Sequence, residues 1–125
     1  LLQLATEESL FSGRDLGLYL EEDRYRFYAY SRDSALWEPV GSDASFRERR
    51  LPEGLILSLR VENQEVDLIP AQSETEIQPQ VAIFGSGEMT PFELIIEREY
   101  SDIRFLIRGE ADGTLELIDE SRNAI

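Results

Sequence analysis

The stretch LLQLATEESLFSGRDLGLYL, residues 1–20, governs how the rest of the chain is read. Set out at about 100° per residue, Leu1, Leu2, Ala5, Ser9, Ser12, Gly13, Leu16 and Leu20 fall on one face, all apolar or small. That spacing predicts an amphipathic helix over residues 1–20, and small side chains in mid-face let it lie flat on a β-sheet. A second, narrower stripe runs Leu4, Phe11, Leu18 at seven-residue steps, flanked by Gln3, Glu7 and Arg14 on one side and Glu8 and Asp15 on the other. Two readings of this stripe stay open: strand ends or the Trp37 loop bury it, or it meets a partner helix as an assembly seam. Gly13 and Gly17 each cost about 1 kcal/mol against Ala in a helix interior, so packing has to hold the helix together. It begins with no N-cap residue and no Met, and the natural chain is therefore expected to continue upstream.

After the acidic turn Glu21-Glu22-Asp23 the hydrophobic period changes from helical to two. Residues 24–30 alternate, with Tyr25, Phe27 and Ala29 on one face and Arg24, Arg26, Tyr28 and Tyr30 on the other. Trp37-Glu38-Pro39 opens a less regular stretch. Strands are predicted over 46–51, 55–62, 65–69, 80–84, 92–98, 103–108 and 114–119, with turns at Pro52-Glu53-Gly54, Asn63-Gln64 and Asp112-Gly113. Residues 70–79, polar and acidic, read as an exposed loop. About eight short strands bounded by turn residues indicate antiparallel sheets in a sandwich-like α+β domain. The whole chain, 1–125, is one domain: helix 1–20, then β-structure over 24–119.

Composition narrows the chemistry. A net charge of −14 opposes binding to nucleic acid and to anionic lipid, and the 12 cations are all Arg. With neither His nor Cys, zinc sites, Ser-His triads and Cys-His pairs are excluded. Carboxylate pairs are uninformative where 26 acidic residues are present. Gly85-Ser86-Gly87 has the look of a phosphate loop, but no Lys follows and a strand comes next, so a tight turn is expected. No catalytic residue, cofactor or metal ligand is expected. No apolar run approaches the roughly 18 residues of a membrane span.

Four segments taken in order carry a resemblance: Gly13-Arg14-Asp15-Leu16-Gly17-Leu18 with Tyr25-Arg26-Phe27; Trp37-Glu38-Pro39; residues 47–54 as Arg-x-Arg-x-Leu-Pro-x-Gly; and residues 84–92, the most specific, containing Gly85-Ser86-Gly87-Glu88-Met89-Thr90-Pro91-Phe92. Together they make the chain similar to the H-class minor pseudopilins of bacterial type II secretion, the GspH family, over nearly its whole length. The resemblance implies a pilin-like fold and a non-enzymatic subunit of the pseudopilus, a filament that drives folded proteins across the outer membrane. It implies a periplasmic domain in a Gram-negative bacterium, with other minor and major pseudopilins as partners and secreted cargo as a further contact. A membrane helix, absent from these residues, would hold it to the inner membrane. Within this frame Gly85, Gly87 and Pro91 are expected to shape a structural turn, with Gly85 or Gly87 at positive φ. Glu88 and Thr90 are expected to be exposed on a partner or cargo surface, and Leu4, Phe11 and Leu18 to face a neighbouring helix. The alternative is a stand-alone periplasmic or extracellular β-sandwich binding module, with Tyr25, Tyr28, Tyr30 and Trp37 as a stacking platform for sugar.

Overall fold

A computed structural model describes residues 5, 7, 12–40, 48–69 and 77–121. Ala5, Glu7 and Ser12 have helical backbone, and Ala5 is wholly buried in the core. Gly13 follows at φ +70, the left-handed conformation that closes many helices. The helix expected over 1–20 therefore does not run its full length: Leu16–Leu20 is strand β1. The physical reason is periodicity. Leu16, Leu18 and Leu20 alternate at period two, and as a strand all three enter the core, whereas a helix would divide them between two faces. Leu18, assigned above to the heptad stripe, is accordingly a core residue, 3% exposed and paired with Phe27, and is no part of a helical seam. Leu4 and Phe11 lie outside the described residues.

β1 is central in the first sheet. It pairs antiparallel with β2 (Arg24–Ser31) on one side and with β7 (Val81–Ile83) on the other. The far edge of β2 carries β3 (Leu36–Pro39) and β4 (Arg49–Arg50) at its two ends. The stretch around Trp37 that reads as irregular is thus an edge strand. The second sheet has the order β10-β9-β8-β5-β6, comprising Leu115–Asp119, Arg104–Gly109, Phe92–Arg98, Leu55–Val61 and Gln64–Val66. β5 and β6 are joined through Glu62 and Asn63, at φ +50 and +67. Two successive positive φ values match the right-handed twist of a hairpin, and they place the turn one residue earlier than Asn63-Gln64.

The sheets share one core. Leu16, Phe27, Val81 and Ile83 come from the first, Leu59, Phe92 and Leu94 from the second. The outer face of the first sheet is also covered. Ile77, at the end of the segment expected to be an exposed loop, is buried, and Pro79 sits so close to β1 that a Cβ on Gly17 would lie 2.6 Å from it. The Gln80 side-chain amide bonds both the N–H and the C=O of Leu20, each at 2.9 Å, and so extends the β1–β7 ladder by one step. Residues 70–76 lie outside the described set.

The outer face of the second sheet carries charge in register. Arg108 lies between Glu93 at 3.5 Å and Glu116 at 3.8 Å, and Arg104 between Glu97 at 3.4 Å and Glu120 at 3.1 Å. On the first sheet, Arg24 gathers Asp23, Glu21 and Glu48 at 3.0, 3.3 and 3.9 Å.

Candidate partner-interaction site

The most specific sequence segment, 84–91, is the passage from the first sheet to the second. It opens as a tight hairpin: Gly87 N–H donates to Phe84 C=O at 3.0 Å, and Phe84 N–H to Glu88 C=O at 2.8 Å. Gly87 has φ +97, the left-handed position that follows a type I turn in a hairpin bulge. Beyond it, Ile83 and Met89 form a bridge, and Ala82 and Thr90 exchange two bonds: Thr90 N–H to Ala82 C=O, and Ala82 N–H to Thr90 Oγ1 at 3.1 Å.

The segment is fastened on three sides. Gly85 N–H donates to Asp15 Oδ1 at 2.9 Å, reaching the residue before β1. Met89 N–H donates to Ala111 C=O in the β9–β10 turn, and Pro91 C=O accepts from Glu62 N–H in the β5–β6 turn. Gly85 lies so near Gly13 that a Cβ would stand 2.6 Å from its carbonyl oxygen. Pro91 lies immediately before β8. Because the Gly85 and Gly87 amides are spent on Asp15 and Phe84, they do not converge on an external anion as a phosphate loop requires.

The predicted contact residues divide. Glu88 is exposed beside Phe84 and Ser86. Thr90, expected to be exposed, is half-buried with its hydroxyl accepting the Ala82 N–H, so its place is structural. Leu18 is in the core, remote from both in role. The four-ring stacking platform is also broken up. Tyr28 is buried, Tyr25 packs against the core, and Tyr30 and Trp37 stand edge-on to each other at 5.3 Å.

An apolar groove of about 380 Å³ between the sheets went unread in the sequence. Leu20, Tyr25 and Leu51 form one wall and Ile96, Ile107 and Leu117 the other, with 68% of the Leu117 surface left exposed. The available signal was the alternation Leu115, Leu117 on an edge strand, which points two leucines inward at the margin of the sandwich. Among the described residues no group of three or more His, Cys, Asp or Glu is placed to hold a metal ion, and no helix is long and apolar enough to cross a membrane.

Comparison with known proteins identifies the class. The solved structure of the minor pseudopilin EpsH from the type II secretion system of Vibrio cholerae superposes with a TM-score of 0.77 at 27% identity, over 94% of this chain and 87% of that one. Type II secretion system protein H of Aeromonas hydrophila is 29% identical over 95% of this chain and 69% of its own length. The protein of the same name from Pseudomonas aeruginosa is 35% identical over 75% of this chain and 55% of its own. No protein-family model matches the chain. The two-sheet domain is thus that of a type II secretion pseudopilin. Within that class both sequence and fold match the H family of minor pseudopilins, over its globular domain.

Proposed function

We propose that this chain is the periplasmic domain of a structural, non-enzymatic subunit of the pseudopilus. The observation that carries the reading is the agreement of fold and sequence over nearly the whole chain with proteins named as protein H or minor pseudopilin of type II secretion. In that role its partners are other pseudopilins, minor and major, and secreted cargo is a further contact. A membrane helix preceding Ala5, which would continue into a helix packed on the sheets, anchors the subunit in the inner membrane. The exposed Glu88 belongs to the surface offered to partners, while Gly85, Gly87, Thr90 and Pro91 hold that surface in place. Leu4 and Phe11 would then contribute apolar contacts to neighbouring helices. The test is deletion of the gene in its own bacterium followed by complementation with the full-length protein. Folded substrate enzymes should accumulate in the periplasm of the deletion strain and return to the medium on complementation. Unchanged secretion after deletion would overturn the proposal.

A further inference from the structure

The turn between β8 and β9 holds a tyrosine in an unfavourable place. Tyr100 has φ +57, a left-handed backbone that Gly or Asn accepts and a bulky ring does not. The turn itself is well tied: Arg98 N–H donates to Ile103 C=O, Glu99 N–H to Gly54 C=O at 2.7 Å, and Ile103 N–H to Ser101 Oγ at 3.2 Å. None of these bonds uses the Tyr100 side chain, which is fully exposed at 104%. Three other non-glycine residues, Ala35, Glu62 and Asn63, share positive φ among the described residues, and none is aromatic. Folding is therefore better served by Gly or Asn at this position, and the exposed ring offers the described residues no packing in return.

Its surroundings fit a contact. Beside the turn lies an apolar depression of about 420 Å³, lined by Pro52, Leu55, Ile96, Ile103 and Phe105, with Ile103 itself 40% exposed. Glu53, Glu97 and Arg98 also line it, and the turn adds Glu99 and Asp102 beside Tyr100; Glu97 is paired with Arg104, whereas Glu53, Glu99 and Asp102 form no ion pair among the described residues. An exposed aromatic anchor with an apolar floor and a net acidic rim is complementary to an apolar pocket edged by Arg or Lys.

We propose that the β8–β9 tip is a docking anchor: Tyr100 and Ile103 insert into an apolar pocket with a basic rim on a neighbouring subunit of the pseudopilus. The proposal rests on the pseudopilin reading of the chain. It is tested in the full-length subunit in a strain deleted for the gene, with photocrosslinking from p-benzoylphenylalanine placed at position 102. Tyr100→Gly and Tyr100→Asn should leave the denaturant midpoint of the domain unchanged or raised, because both relieve the backbone. They should nevertheless lower subunit crosslinking and secretion by about tenfold or more, as loss of a buried aromatic anchor does. Tyr100→Phe should keep both, and Glu99→Arg should weaken crosslinking without moving the midpoint. A lowered midpoint for Tyr100→Gly, full crosslinking without the ring, or crosslinks to secreted cargo alone would each overturn the anchor. If deletion of the gene leaves secretion intact, it is the pseudopilin reading that fails.

Discussion

Replacing Gly85 by Ala tests whether the crossing between the sheets is as tightly fitted as its geometry indicates. Gly85 does not have positive φ, so the cost is one of space alone. The new Cβ would stand 2.6 Å from the Gly13 carbonyl oxygen and 2.7 Å from its carbonyl carbon. Against an ordinary C···O contact of about 3.3 Å, the two backbones must part by roughly 0.7 Å. Neither atom belongs to a flexible side chain that could swing away. Overpacking of this kind costs about 1–3 kcal/mol. The same displacement strains the Gly85 N–H bond to Asp15 Oδ1 at 2.9 Å, and losing a bond to a charged acceptor costs about 1.5–3 kcal/mol when buried, less at this half-buried site. A total of about 2–4 kcal/mol follows, which at a urea m-value of about 2 kcal/mol/M lowers the midpoint by about 1–2 M. Gly54→Ala is the control. Gly54 has φ +89 but nothing within 4 Å of a Cβ, so it bears only the left-handed backbone cost of about 1–2 kcal/mol. Equilibrium urea unfolding of the two variants decides the matter. A midpoint shift for Gly85→Ala no larger than that for Gly54→Ala would refute the steric argument.

Two further outcomes are expected. Thr90→Val removes the oxygen that accepts the Ala82 N–H and should cost about 1–2 kcal/mol, while Thr90→Ser should stay within about 0.5 kcal/mol of the parent; equal midpoints for the two would show that the bond is dispensable. The carboxyls of Asp112 and Asp119 are held below their ordinary value, chiefly by side-chain hydrogen bonds with Thr114 and Ser121 and next by the backbone N–H groups of those residues. A lowered folded-state pKa contributes stability that is complete above the unfolded value near 3.8 and is lost as pH falls through the folded one. Urea midpoints followed from pH 5 downward should therefore fall less steeply in Asp119→Asn than in the parent, and parallel curves would disprove the linkage.

The parts of the fold that were legible are those in which one side-chain period dominates. In Leu55–Val61 and Phe92–Arg98 apolar residues recur at every second position, with Ile56 and Ile95 as outward-facing exceptions, and the observed strands match the expected ones to within a residue. The failure at Leu16–Leu20 has a specific origin. Leucines at 16 and 20 satisfy a helical spacing of four and a strand spacing of two equally well. What separates the alternatives is Gly13: taken as a helix interior residue it is a small penalty, taken as a C-terminal cap it ends the helix three residues before β1. Trp37 was missed as strand because β3 is a half-exposed edge with no inward alternation to betray it. In the 84–91 passage, glycine and proline mark a turn from sequence alone. That Thr90 turns inward to Ala82 while Glu88 faces out depends on the approach of β7, which no local pattern encodes.

The three arginine-centred charge clusters have a consequence for which substitutions the surface tolerates. With 26 acidic residues against 12 basic ones, arginine is the limiting reagent of the surface. Arg104 and Arg108 each hold two carboxylates and Arg24 holds three, so no cluster is neutral. Removing one glutamate leaves its arginine still engaged and brings the cluster nearer to neutrality. Removing an arginine instead leaves two or three like charges side by side with nothing between them. Lysine is a poor substitute, because one compact ammonium lacks the planar fork that reaches carboxylates on both neighbouring strands. At these three clusters a lost acid is thus better tolerated than a lost arginine, although acids outnumber arginines in the chain by more than two to one.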